Sequence, residues 1–474
     1  MLVLAWMSCS FTTAEWDACE APAQCRDAFG WGWTCGDEGL CVEVEAHPRC
    51  DRTIPDDLFE QREANRDTIV IGSIYEREES FKDVLSFELA IGQVNDSEGL
   101  DGHLYGFVQC TNEDGPVDSL TQEEANLEVA RYLADDLGVP AIVGPSYSSA
   151  TEAAFLTVEP FGTLLVSPSA TSPALTALDG LDHTDANPGL LWRTAPPDSL
   201  QGQAIALDVA GRGITDAAVI YQSGPYGEGL AQVFLEYFPG NASLNLFDTA
   251  SVRDTATADV GSSSAQEVLF ISSDKADIVA FLNGAGNLGG YATKGLFLAD
   301  GAYDVNVLDQ ASSASDLFPN IRGTRPTTPS GPVYDTFLAS YAAAYGGNSA
   351  ADSAYTAYAF DAAWLVIYGT AWSMYQEGGV YGRGIARGLR EVSSGDEVLV
   401  RATSWNTVKA SFKAGTGVDV RGASGTLDYD PQTEETAAPI DVWTVLPSGD
   451  GFVVACTFDP SATATLPADC LPVE

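Results

Sequence analysis

The sequence predicts an α/β protein with two parallel-sheet lobes in series, preceded by a small cysteine-rich segment. Three observations predict it. From Thr68 onward, short β-branched runs alternate with helix-length periodic stretches, the pattern of βαβ units and a parallel sheet. After Trp192 a second series repeats the same order and spacing. Cys9, Cys19, Cys25, Cys35, Cys41 and Cys50 crowd the N-terminus, while Cys110, Cys456 and Cys470 stand apart.

Composition narrows the function before any motif is considered. The 474 residues include 67 acidic and 22 basic side chains, so 67 minus 22 leaves a net charge of −45. Nucleic-acid binding is excluded as a whole-surface property, because phosphate affinity comes from Lys and Arg, and anionic lipid is repelled. A hydrophobic share of 45% is ample for packed cores and rules out global disorder. At roughly 100–200 residues per domain, the length predicts two or three domains.

The first nine residues, Met-Leu-Val-Leu-Ala-Trp-Met-Ser-Cys, are apolar and end in a small residue before Cys9. They resemble the end of a bacterial lipoprotein signal with Cys9 as the lipidated residue; a truncated ordinary signal peptide is the alternative, and both predict export to the periplasm or cell envelope. No other stretch has about twenty uninterrupted apolar residues, so membrane contact is expected only through the lipid anchor. Residues 10–66 read as a stapled knot or stalk followed by a polar tether over 51–67, too short to bury much core. No C-x2-C pair occurs and there are three histidines, which favours disulfides over a metal site. The four cysteines from Cys19 to Cys41 are expected to pair among themselves in one of three connectivities. Cys456 should then bond Cys470, and Cys50 the strand end at Cys110.

Residues 68–73 read as a buried strand, and Val84, Phe87, Ile91 and Val94 then recur on one face of a helix. Strands follow at 104–110, 139–143 and 163–166, with a helix carrying Leu127, Ala130, Ala134 and Leu137 between the first two. The second series has strands at 217–221, 267–271 and 295–299, and helices near 200–210, 227–238 and 275–283. Later helices at 332–345, 354–375 and 382–392 must pack on one of the sheets.

Gly284-Ala-Gly-Asn-Leu-Gly289 satisfies G-x-G-x-x-G, yet it ends a helix and precedes a strand, the reverse of a dinucleotide loop. A helix stop with a left-handed glycine cap is the better reading, and no cofactor is expected. Neither a G-x-S-x-G elbow nor a P-loop is present, and no histidine stands beside a nucleophile or carboxylate pair, so catalysis is not expected. The positive signals are Ala141-Ile-Val-Gly-Pro-Ser-Tyr-Ser-Ser-Ala-Thr151 and Leu164-Leu-Val-Ser-Pro-Ser-Ala-Thr171. Each is a buried strand running into hydroxyl residues. Hydroxyls and backbone N–H groups at adjacent strand ends suit a carboxylate; ordinary helix capping by Ser and Thr is the competing reading.

These two pieces are followed in order by Trp-Arg-Thr-Ala-Pro-Pro-Asp, Gly-Pro-Tyr-Gly-Glu-Gly-Leu-Ala, Leu-Phe-Leu-Ala-Asp-Gly and Gly-Ala-Ser-Gly-Thr-Leu-Asp-Tyr-Asp. Together, over residues 68–453, they resemble the branched-chain amino-acid binding proteins of bacterial ATP-binding-cassette importers, the type I periplasmic-binding fold. The resemblance implies two doubly wound lobes joined by three hinge crossings, near 192–198, 300–303 and 421–430. Residues 1–9 would be a signal remnant, 10–66 the cysteine-rich segment and tether, 67–197 and 300–421 the first lobe, and 198–299 and 422–474 the second lobe and tail.

Ligand contact is implied for Ser148, Ser169, Ala170, Thr171, Tyr226 and Asp300. Ser148 and Thr171 match residues that hold the ligand α-carboxylate with hydroxyls and amides, and Ser169 matches one that offers a backbone carbonyl to the ammonium. Tyr226 matches the second-lobe aromatic that closes over the amino-acid backbone. Asp300 falls where an acidic residue pairs with the ammonium; an Asp-Gly surface turn is its ordinary reading. Near Ser273 the motif is lost. Glu76 and Arg77, in a charged loop that replaces a Gly-rich turn, face either a polar ligand or solvent. The expected function is capture of a small amino acid or related zwitterion and delivery to an ATP-binding-cassette permease, with no catalysis and no metal. A sensory subunit presenting the closed state to a receptor, or a surface lipoprotein with a non-transport role, is the alternative.

Overall fold

The computed structural model describes residues 18–76, 81–115, 117–459 and Cys470. The expected lipidation site Cys9, and Arg77, lie outside the described residues.

Ile69–Ile74, buried along its whole length, is central to the first sheet. It pairs in parallel with Tyr105–Cys110 on one side and Ala141–Val143 on the other, followed by Leu164–Ser167 and Leu191–Arg193. Arg52–Ile54 adds an antiparallel edge beyond Tyr105–Cys110. Thus residues 51–67, read from sequence as a polar tether, are docked on the first lobe. Leu58 is wholly buried in the first-lobe core, and Cys50 is bonded to Cys110. A few apolar anchors in a polar run are enough to dock it.

The segment before it forms a helix, Pro22–Phe29, and an antiparallel pair, Trp33–Cys35 with Cys41–Glu43, stapled by Cys19–Cys35 and Cys25–Cys41. Arg62 ties the docked stretch to this module, donating to the carbonyls of Gly32 (2.6 Å) and Val44 (2.7 Å).

The second sheet runs Asn241–Phe247, Asp216–Gln222, Glu267–Ile271, Gly295–Leu298, Ile321–Pro326, Ile440–Val445, Phe452–Phe458. Its first five strands are parallel and its last two antiparallel. Successive side chains of a strand point to opposite faces, and the core divides accordingly. Ala218, Ile220, Val268, Phe270, Leu296 and Leu298 pack on one face, and Ala217, Val219, Leu269, Ile271, Phe297 and Ala299 on the other. The Cys456–Cys470 disulfide closes the end of this lobe.

Of the three crossings, the first follows Leu191–Arg193 and leads into the second-lobe helix Asp198–Gly211. The second does not occur at 300–303. Ala302, Val307, Leu308 and Leu317 stay in the second-lobe core, and Ile321–Pro326 adds a strand to its sheet, so the chain leaves only after Pro326. Nor does the third occur at 421–430: Leu427 and Tyr429 belong to the first-lobe core, and Asp361 accepts from the amides of Ala423 (2.8 Å) and Ser424 (2.7 Å). The crossing is at 437–439, before Ile440–Val445. Both errors come from taking a motif as a boundary when the chain still has a strand or loop to pack.

The later helices return to the first lobe. Thr356–Trp372 is buried on every face except at its last residue, which a helix permits only when packed on several sides. The glycines at 284–289 end the helix Lys275–Gly286, but none has positive φ, so the left-handed cap is absent. Close approach explains one of them: a Cβ on Gly286 would come within 2.0 Å of the Ser313 carbonyl oxygen. Among the described residues no helix is long and apolar enough to cross a membrane.

Candidate functional site

The first-lobe side of the cleft is made by two neighbouring strand ends. Ala141–Val143 leads into Gly144, whose φ is 101° and where a Cβ would stand 2.2 Å from the Ile74 carbonyl oxygen; glycine alone permits that approach. Helix Ser148–Val158 starts after the extended Tyr147; its first N–H groups have no partner within the helix, and Ser146, Tyr147 and Ser148 at its start line the cleft. The loop after Leu164–Ser167 runs alongside.

Many of the hydroxyls here brace the two loops against each other. Ser167 Oγ donates to the Pro145 carbonyl (2.7 Å) and accepts from the Ala170 amide (3.1 Å). Ser169 Oγ donates to the Ser146 carbonyl (3.0 Å), and Ser148 Oγ accepts from the Ser172 amide (3.2 Å). Buried Arg193 holds the second loop from beneath, donating to the carbonyls of Ala170 (3.2 Å) and Ser172 (2.8 Å) and pairing with Glu435. Burial brings its guanidinium down to about 10, against the pull of Asp198.

From the second lobe, Tyr226 enters on the first turn of helix Pro225–Tyr237, and Asp300 follows strand Gly295–Leu298. Asp300 is not a bare carboxylate awaiting a cation. Tyr226 Oη donates to Oδ1 (2.5 Å), Gln201 Nε2 to Oδ1 (3.1 Å), and Tyr355 Oη to Oδ2 (2.6 Å). Tyr355 stands just ahead of the first-lobe helix Thr356–Trp372, so its bond to Asp300 links the lobes. Ser172 Oγ, donating to the Pro225 carbonyl (2.6 Å), is a second link. Burial, and then the charge of Asp300, push the Tyr226 and Tyr355 hydroxyls well above their usual range, so both remain proton donors at neutral pH.

Between the lobes is a cavity of about 140 Å³. Ser148, Ser169, Thr171, Tyr226 and Asp300 all line it. Ala170 does not: it is wholly buried, and its amide and carbonyl serve Ser167 and Arg193. The Thr171 hydroxyl, expected to hold a carboxylate, donates to Asp198 Oδ2 (2.8 Å). Ser273 lines the cavity as well, in the region where the sequence motif is lost. Glu76 belongs to an adjoining cavity of about 460 Å³, which shares Tyr147 and Ser273.

Sequence reasoning missed Tyr355, Asp83 and Lys275, which also line the cavity, and Asp198 and Gln201 behind it. Asp198 stood inside a recognised motif; no local signal marks the others. Burial first, and then Asp300, push the Asp198 carboxyl well above the usual carboxylate range.

The family described as the receptor family ligand binding region matches residues 83–447. The Leu/Ile/Val-binding protein of Escherichia coli K12 is 29% identical over 174 residues, which span 36% of this chain and 43% of that protein. The chain thus matches less than half the length of this curated relative. A branched-chain amino acid transporter substrate-binding protein of Streptococcus pneumoniae, in complex with isoleucine, superposes with a TM-score of 0.61 at 21% identity, covering 82% of this chain and 99% of that one. A solute-binding protein of R. palustris in complex with benzoate gives 0.61 at 14% identity, covering 84% and 97%. With a family match over most of its length and the two-lobed fold of these structures, the chain belongs to the receptor family ligand binding region family and has the type I periplasmic-binding fold.

Proposed function

We propose that this protein is an exported solute-binding protein that holds a small amino acid or related zwitterion between its lobes and delivers it to an ATP-binding-cassette permease, with tethering through Cys9 as part of the same reading. The observation that carries it is the division of polarity across one cavity. The first-lobe wall offers hydroxyls and a helix N-terminus, and the second lobe offers the Asp300 carboxylate. That arrangement receives an α-carboxylate on one side without a cationic side chain and an ammonium on the other. The Leu/Ile/Val-binding protein of Escherichia coli and the isoleucine complex from Streptococcus pneumoniae support it. An aromatic monoacid like the one in the R. palustris structure has no ammonium for Asp300.

Asp300→Asn keeps the shape of the site and removes its charge. A zwitterion found in a thermal-shift screen is expected to bind it about 2–5 kcal/mol more weakly, roughly 30-fold to several-thousand-fold in Kd. Titration calorimetry measures this; an affinity within threefold of the unmodified protein would defeat the reading.

A further inference from the structure

Resting on that proposed function, we propose that Asp83 receives a second positive charge on the solute, so that the solute class is a cationic amino acid bearing an ammonium or guanidinium on its side chain. Asp83 is on the first turn of helix Phe81–Asp96, lines the same cavity as Asp300, and is 5% exposed. Its Oδ1 is buried without a hydrogen-bond partner among the described residues. Asp300, by contrast, accepts from three donors. A buried carboxylate oxygen without a partner is costly, and a neutral solute side chain gives it nothing.

The charges around it point the same way. Glu76 and Tyr75 approach Asp83 from the preceding strand end, Lys82 is its neighbour in the helix, and Lys275 faces it from the second lobe. Lys275 is already paired with Asp304 at 2.9 Å. The adjoining cavity is lined by Glu76, Glu113, Asp114 and Asp274, with no Lys or Arg among its described lining residues. A second cation on the solute would stand beside this acidic side of the cleft, where a single α-ammonium answered by Asp300 would not.

Burial, reinforced by Glu76 and opposed by Lys275 and Lys82, raises the Asp83 carboxyl to about 7. The empty cleft then holds a proton there below pH 7, and a cationic solute has to displace it. Affinity for such a solute should therefore rise by about tenfold between pH 6 and pH 8.

The test is calorimetry with L-arginine, L-lysine and L-ornithine against the neutral analogues L-citrulline and L-norleucine. At least one of the three cations is expected to bind tenfold or more tightly than its neutral analogue. Asp83→Asn, with Asp83→Ser as an independent variant, should bring that ratio to within threefold and remove the excess pH dependence over citrulline. Neutral analogues that bind as well as the cations, and are still weakened by Asp300→Asn, would overturn the second charge alone and leave the zwitterion site standing. Failure of all three cations to bind the folded protein would overturn the second charge.

Discussion

Asp198 and Thr171 show how a single proton can set what a hydroxyl does. With Asp198 ionised, the Thr171 hydroxyl donates to it across 2.8 Å and has no hydrogen for the cavity. Burial and the Asp300 charge hold the Asp198 carboxyl well above its usual range; once it takes up a proton, that proton faces Thr171 Oγ and the hydroxyl hydrogen turns to a ligand carboxylate. Asp198→Asn keeps a donor in that place and is expected to retain affinity for a zwitterion within about threefold. Asp198→Val removes the donor and should weaken binding by about 1 kcal/mol or somewhat more, the usual worth of a neutral hydrogen bond. Calorimetry on the pair distinguishes this from an ionised Asp198, where the Thr171 hydroxyl is already held by the carboxylate and Asp198→Val would not weaken binding.

In the second lobe, a helix and two strands are joined by charge as well as by apolar packing. Arg212, at the end of helix Asp198–Gly211, donates to Asp208 Oδ1 (2.7 Å) and makes a two-pronged bond to Glu267 (2.8 and 3.0 Å). Arg322 from strand Ile321–Pro326 also grips Asp208 (2.5 and 3.1 Å). Both acids are fully buried. Arg322→Met leaves Asp208 with one cation and should destabilise the protein by about 3–5 kcal/mol, read as a lower denaturant midpoint; a midpoint unchanged from the parent would show that Arg212 suffices. Such clusters are invisible in sequence because their members are far apart along the chain. The same limit explains which elements were legible. Buried central strands such as 68–73 and 267–271 announce themselves as apolar runs. Edge strands do not: Asn241–Phe247 is buried only at its last residue, and Arg52–Ile54 is polar and half-buried.

At the scale of the whole molecule, the two-lobed plan was legible because each lobe repeats one grammar of strand and helix, and the order of motifs tied it to a family. Where the chain changes lobes was less so, since a crossing has no composition of its own; two of three expected positions moved, to beyond Pro326 and to 437–439. The cavity shows the same division. Ser148, Ser169, Thr171, Tyr226 and Asp300 sit in quotable motifs, whereas Tyr355 and Asp83 reach the cleft only through tertiary packing of their helices. The disulfides add a last consequence. Cys19–Cys35, Cys25–Cys41 and Cys50–Cys110 belong to the first lobe and its attached module, Cys456–Cys470 to the second. None of these four joins one lobe to the other. Removing one is expected to cost about 2–5 kcal/mol and lower the melting temperature, while solute affinity measured well below melting stays within threefold; a large affinity loss under mild reductant would contradict this. Thiol poise and cleft closure are then independent coordinates of the molecule: the first governs how long the chain survives in its compartment, and the second is left to the side chains at the cavity.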